Sequence, residues 1–222
     1  MFRIGLFVAL VVLASCSTTR VIKPLDKGEK QIGASFGGPA IIFSGAPIPL
    51  PLTSISYAHG LDTGLTLAGG LHTTALLFGN AEIDLSLGIR VFESNNERFG
   101  LTASPGVHLF YGFRGNAFRA YPQLEGIGWW QYGEKNHLLY GGLGTWVELV
   151  REKAHSEVQQ HELMPYVTLG HQFAGAKWKW QVEARYIGFN YSTDNIVVEY
   201  LGPFPNGTTG LYVGLTRKLG KQ

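Results

Sequence analysis

From residue 29 onward the chain is patterned with period two. Ile83, Leu85, Leu87, Ile89 and Val91 fall on one face of an extended segment, and Asp84, Ser86, Gly88 and Arg90 on the other. Trp180, Val182, Ala184 and Tyr186 alternate in the same way against Gln181, Glu183 and Arg185. No stretch of this region sustains a helical period. The pattern predicts ten strands at 29–37, 52–60, 63–71, 81–92, 100–113, 118–132, 137–150, 162–174, 177–190 and 209–219. The later ones run to about 10–14 residues, whereas soluble sheets favour strands of about five or six and a tilted strand crossing a bilayer needs about 9–11.

Aromatic residues gather at the predicted strand ends. Phe110, Tyr111 and Phe113 precede the turn at 114–116, Trp129, Trp130 and Tyr132 precede the turn at 133–136, and Trp178 and Trp180 follow the turn at 174–177. Such belts sit at the two interfaces of a membrane barrel. The connections alternate as well. The second, sixth and eighth (around Leu61 and Asp62, at 133–136 and at 174–177) are tight, and the first, third, seventh and ninth (38–51, 72–80, 151–161 and 191–208) are long. The fourth, 93–99, is intermediate, and the short fifth, 114–117, departs from the rule. An up-and-down barrel with an even strand count places its short turns and both chain ends on the periplasmic side.

The N-terminal segment has a different character. Arg3 gives a positive start, residues 4–14 are apolar apart from Gly5, and the run is too short to cross a bilayer as a helix. Leu13, Ala14, Ser15 and Cys16 follow, and Cys16 is the single cysteine of the chain. These four residues resemble the lipobox of bacterial lipoproteins. The resemblance implies cleavage before Cys16, acylation of that cysteine, and residence in a bacterial envelope; Ser17 after it resembles the pattern sent on to the outer membrane. With the barrel pattern, the chain resembles small bacterial outer-membrane β-barrel proteins that carry a lipoprotein signal. The implied organisation is a signal peptide (1–15), a polar lipidated tether (16–28) and one barrel domain (29–222). The fold class is all-β: a single antiparallel up-and-down transmembrane β-barrel of about ten strands, with eight as the alternative count. Leu219 stands where such barrels commonly end on an aromatic residue, and Pro105 with Gly106 reads as a bulge in the fifth strand.

Composition agrees. Of 222 residues 15% are charged, against about a quarter in ordinary soluble domains, and 30 are glycine. The net charge of +2 is too small to point to nucleic acid. No later run approaches the length of a membrane helix.

If the apolar faces meet lipid, the lumen holds Asp84, Arg90, His108, Gln123, Glu125, Tyr140, Trp146, Glu148, Tyr166, Gln172, Glu183, Arg185, Tyr212 and Lys218. A barrel of this size is nearly filled by side chains, and buried charges must pair, so Asp84, Arg90, His108, Glu125, Glu148, Glu183 and Arg185 are expected in a polar network. No cofactor is expected. His155, Glu157, His161 and Glu162 fit no strong metal-ligand template and read as a solvated loop. Enzymes of this class need a histidine with a nucleophile or acid near the outer rim; His72, with Thr73 and Thr74, is the best placed, and no hydrolase or phosphate-binding motif accompanies it.

The expected role is structural or partner-binding rather than catalytic. The partners are membrane lipid and, through apolar outer loops, an envelope protein or glycan. Those loops carry Ala40, Ile41, Ile42 and Phe43 in the first connection and Ile196 to Leu201, with Phe204, in the ninth; the same residues also suit a cap folded inward. Two rivals remain: a lipid-anchored lipocalin-like barrel with inside and outside exchanged, binding an apolar ligand, and a rim-active lipid A hydrolase or acyltransferase using His72 or His108.

Overall fold

Every barrel strand keeps the two-residue alternation that the sequence displays, and the ladder closes on itself. The computed structural model describes residues 17–150, 161–192 and 200–220. Its strands are β1 (Lys30–Phe43), β2 (Ala46–Pro49), β3 (Thr53–Asp62), β4 (Leu65–His72), β5 (Asn80–Glu93), β6 (Phe99–Gly112), β7 (Ala117–Tyr132), β8 (His137–Val147), β9 (Leu163–Ala174), β10 (Trp178–Ser192) and β11 (Asn206–Leu219), with one short helix, α1 (Thr73–Leu77). Neighbours pair antiparallel in chain order, and β1 pairs β11 from Lys30 opposite Leu219 to Pro39 opposite Gly210. The result is a closed ten-stranded antiparallel barrel. β2 lies outside the closed ladder and pairs only with the far end of β1, from Ala40 opposite Pro49 to Phe43 opposite Ala46.

The faces are as the alternation requires. Ile55, Leu67, Ile83, Leu85, Leu101, Leu124, Leu143, Leu169, Val182, Leu211 and Val213 are exposed on the outside. Glu82, Asp84, Ser104, Glu125, Tyr140, Tyr166, Glu183, Arg185 and Tyr212 are buried inside. An apolar exterior around a polar interior inverts the lipocalin arrangement, so that rival reading fails. One end carries the tight turns at 63–64, 133–136 and 175–177 and an outer ring of Trp130, Tyr132, Phe173, Trp178 and Trp180, all exposed. The other carries α1, the β1–β2 hairpin and the longer connections, with Phe43, Phe78, Phe113, Phe118, Phe189 and Phe204 exposed.

Four details differ from the sequence reading. Trp129, expected in the aromatic ring, points inward and donates from its indole Nε1 to Thr102 Oγ1 at 3.2 Å; Trp130 and Tyr132 face out, as alternation demands. Pro105 is not at a bulge: pairing of β6 with β7 runs unbroken through Pro105 opposite Leu124, and the register shift against β5 falls between Arg90 and Phe92. The first connection is not a simple loop, because β1 continues past the barrel to Phe43. β8 stops at Val147, three residues earlier than the alternation predicts.

Residues 17–28, read as a tether because of their polarity, run inside the barrel. Gly28 is held at the short-turn end by its amide bonding Gly60 O at 2.8 Å, with Gly60 N in turn bonding Glu29 O at 2.9 Å. From there the segment climbs: Leu25 N to Thr66 Oγ1 at 2.7 Å, Thr102 Oγ1 to Ile22 O at 2.7 Å, and Thr19 N to Glu183 Oε2 at 3.0 Å. A polar segment suits a polar lumen as well as it suits water, which is why composition alone does not separate the two. Cys16 and the signal segment lie outside the described residues.

Candidate functional site

The lumen is filled in three tiers. At the short-turn mouth, Val21, Ile22 and Leu25 of the inserted segment are buried, and Ile22 packs with Ile127, Trp129, Leu138 and Tyr140. Gly88 makes room for this segment: a Cβ there would lie 2.3 Å from Val21 Cγ1. Lys23 Nζ reaches Glu93 Oε1 at 2.8 Å and sits 4.8 Å from the Trp129 ring centre. Arg90 Nη1 bonds Glu93 Oε2 at 2.8 Å, so Arg90 belongs to this mouth group rather than to the central network. Burial pushes the Glu29 carboxyl up, but hydrogen bonds from Gln31 and Lys218 outweigh it and hold it below the usual carboxylate range. A cavity of about 540 Å³ remains at this mouth.

The middle tier is ionic. Glu183 Oε1 accepts from Arg185 Nε at 2.6 Å, and its Oε2 accepts from Thr19 N at 3.0 Å, Tyr140 Oη at 2.8 Å and Gln181 Nε2 at 3.2 Å. Arg185 Nη2 also donates to Thr19 Oγ1 at 3.1 Å. Across the lumen, Arg20 clamps Asp84 with two bonds, Nε to Oδ1 at 2.9 Å and Nη2 to Oδ2 at 2.6 Å. This fork-to-fork geometry is the strong form of a guanidinium–carboxylate pair. Glu125 lies buried in the same tier.

The top tier is aromatic. Trp146 stacks on Tyr166 with ring centres 4.2 Å apart, beside Ile187, Tyr121 and Met164. Gly144 lies under the Tyr166 ring, since a Cβ there would fall 2.2 Å from it. His108 Nε2 lies 2.8 Å from Gln123 Oε1, which also accepts from Trp146 Nε1 at 3.2 Å. Above this tier the outer connections meet: Ile41 bridges Tyr200, and Leu201 N bonds Ala40 O at 2.9 Å. Ala40 and Ile41 are buried there, while Phe43 and Phe204 stay exposed; residues 193–199 lie outside the described ones.

Of the residues assigned to the polar network, the structure brings Asp84, His108, Glu125, Glu183 and Arg185 into the lumen's middle and upper parts. Two are placed elsewhere. Arg90 is at the mouth, and Glu148 follows the end of β8 at the opposite rim, its Oε1 accepting from Val150 N at 2.9 Å. His72, expected at the outer rim, is 1% exposed and points into the lumen, where its Nε2 is 2.8 Å from Asp84 Oδ2. The rim-enzyme reading loses its best residue by this. Glu82 was missed although it lies two residues before Asp84 and so shares its face, whereas Gln181 lies inward with Glu183 and Arg185 as the alternation places it. Arg20 had no sequence signal, because nothing in its surroundings alternates.

No protein-family model matches the chain, and no curated protein matches it. Among solved structures it is similar to the translocator domain of the autotransporter NalP from Neisseria meningitidis, at 12% identity over 89% of this chain and 91% of that one, with a TM-score of 0.47. It is also similar to an outer membrane channel from Pseudomonas putida F1, at 10% identity over 91% and 99% with a TM-score of 0.46. The KdgM porin aligns at 10% identity over 86% and 99%, with a TM-score of 0.38.

Proposed function

We propose that the chain is an integral outer-membrane β-barrel, occluded in the described state by its own N-terminal segment, with a structural or partner-binding role. The observation that carries this is the sidedness of the ten strands: aliphatic side chains cover the outside between two aromatic rings, while Glu82, Asp84, Glu125, Glu183 and Arg185 lie buried within. Water does not favour that arrangement, whereas a bilayer core requires it. The tight-turn end, where β1 begins and β11 ends, faces the periplasm in this reading. Exposed Phe43, Ile48 and Phe204 on the outer connections supply the apolar surface for an envelope protein or glycan.

Acylation of Cys16 is the second part of the proposal, and the lumen constrains it. Ser17, one residue away, is buried inside the barrel. A lipid on Cys16 reaches the bilayer only if residues 17–27 withdraw through the short-turn mouth; the 12 peptide steps from Cys16 to Gly28 span about 40 Å when extended, enough to do so. Lumen occupation and lipid anchoring are therefore alternative states of one segment.

The test is heat-modifiable migration of protein from outer membranes washed with carbonate or urea. Retention after the wash with faster migration unboiled than boiled supports the integral barrel; loss in the wash overturns it. Intact mass of the mature chain then reads the lipid directly. A mass matching an acylated Cys16 start supports the anchor, and a bare N-terminus removes it.

A further inference from the structure

His72, Glu82 and His108 come from three successive strands, β4, β5 and β6, and meet in the upper lumen. All three are buried, at 1%, 4% and 6% exposure. We propose that they bind a divalent transition-metal cation of the zinc type, with Asp84 at the edge of the site.

Geometry is the first support. Each side chain offers one ligand atom, and these atoms lie within 4.8 Å of one another. Glu82 Oε1 stands 3.9 Å from both His72 Nε2 and His108 Nδ1. Ligands about 2.0–2.1 Å from a tetrahedral zinc are about 3.4 Å apart, so the two gaps to Glu82 close by roughly half an ångström and the one between the histidines, within 4.8 Å, by up to about 1.4 Å.

The unmet hydrogen-bonding capacity points the same way. Glu82 Oε1 and His108 Nδ1 are buried with no hydrogen-bond partner, although buried polar atoms are rarely left so. The Gln123 amide fixes the tautomer of His108. Trp146 Nε1 donates to Gln123 Oε1, and Gln123 Nε2 donates to Tyr166 Oη at 2.7 Å. Gln123 Oε1 is thus the amide oxygen and His108 Nε2 donates to it, which leaves Nδ1 on the side of Glu82. A metal-bound histidine commonly donates its other nitrogen to an acceptor in this way. Asp84 Oδ2, 2.8 Å from His72 Nε2, sits where an adjacent ligand would.

Donor chemistry is the third support. Two imidazoles with carboxylate favour zinc and its neighbours; calcium and magnesium prefer oxygen alone.

The experiment is titration of the chelator-stripped, folded barrel, carrying no histidine tag, with Zn²⁺ alone, read by calorimetry and metal analysis. One equivalent is expected to bind. Glu82→Gln and His108→Gln should each weaken it more than tenfold, and Gln123→Leu, which removes the outer acceptor, by about 10- to 100-fold. The rings of His137 and His171, 6.1 Å apart on the outer face near the short-turn end, are the competing site, and the His137→Ala, His171→Ala double variant should keep the equivalent. No binding by the parent, binding unchanged in Glu82→Gln and His108→Gln, or loss in the double variant would each overturn the proposal. Heat-modifiable migration verifies that each variant is folded. If Glu82→Gln does not fold, the Co²⁺-loaded parent decides: a low-symmetry ligand-field spectrum supports the buried site, and the spectrum of the hexa-aquo ion overturns it.

Discussion

Glu183 shows how much of the interior rests on single side chains. It accepts from Arg185, Thr19, Tyr140 and Gln181 at once, and removing it strips a buried guanidinium of its 2.6 Å carboxylate partner. Breaking one member of such a pair costs about 3–5 kcal/mol, while removing both costs less. Glu183→Ala is therefore expected to lower the urea midpoint of the folded barrel strongly, and the Glu183→Ala, Arg185→Ala double variant to recover part of it. A double variant that falls below Glu183→Ala by the full loss seen in Arg185→Ala alone would show that the pair is not coupled. A second residue-scale prediction concerns Gly144, over which the Tyr166 ring lies. Gly144→Val must displace that ring and its stack on Trp146, at about 1–3 kcal/mol for overpacking, read in the same denaturation. Inward placement of Glu183 and Arg185 was legible in the sequence, since each stands opposite Val182 and Ala184 in the alternation. Their partner Thr19 was not, because a non-repeating segment carries no face.

At the scale of the strand, alternation fixes what looks outward, and its limits are those of local pattern. It separates Glu183 from Val182 and places Trp129 inside once Trp130 is assigned outside, although the clustering of three aromatics suggested a common belt. It does not report where pairing ends. The sequence predicts β8 to run to residue 150, yet the ladder with β9 ends at Val147 opposite Leu163, a matter of the partner strand. Depth in the bilayer follows from register. Leu169 is 63% exposed and lies between Gly141 and Ala184, near the middle of the apolar band. Val182 pairs with His171 close to the ring of Trp178, Trp180 and Phe173. Arginine on the lipid face costs about 2–4 kcal/mol at the midplane and about 0–1 near the interface. Leu169→Arg should then destabilise the vesicle-embedded barrel by the larger amount and Val182→Arg by clearly less. Similar small losses at both positions would mean that this surface faces water.

For the whole molecule, the decisive feature is that the barrel contains part of its own chain. Ten strands alone leave a lumen that side chains nearly fill, and the inserted segment takes up much of what is left below the ionic tier. Its anchors are spread along the climb: Leu25 on Thr66, Ile22 on Thr102, Arg20 on Asp84 and Thr19 on Glu183. These four contacts involve β4, β5, β6 and β10, so the segment ties opposite walls together without taking part in the ladder. Closure of the barrel does not depend on it, because β1 and β11 pair independently of residues 17–28. Deleting residues 17–27 should consequently give a barrel that still shows heat-modifiable migration but is less resistant to denaturant. In planar bilayers the unlipidated chain beginning at Ser17 is expected to be nearly silent, and the deletion to show ion-conducting steps through the vacated lower lumen. The acylated chain should resemble the deletion, since its lipid and the filled lumen exclude each other. If the deletion is as silent as the chain it came from, the ionic and aromatic tiers alone seal the barrel, and the segment serves as a brace between walls rather than as the element that closes the path.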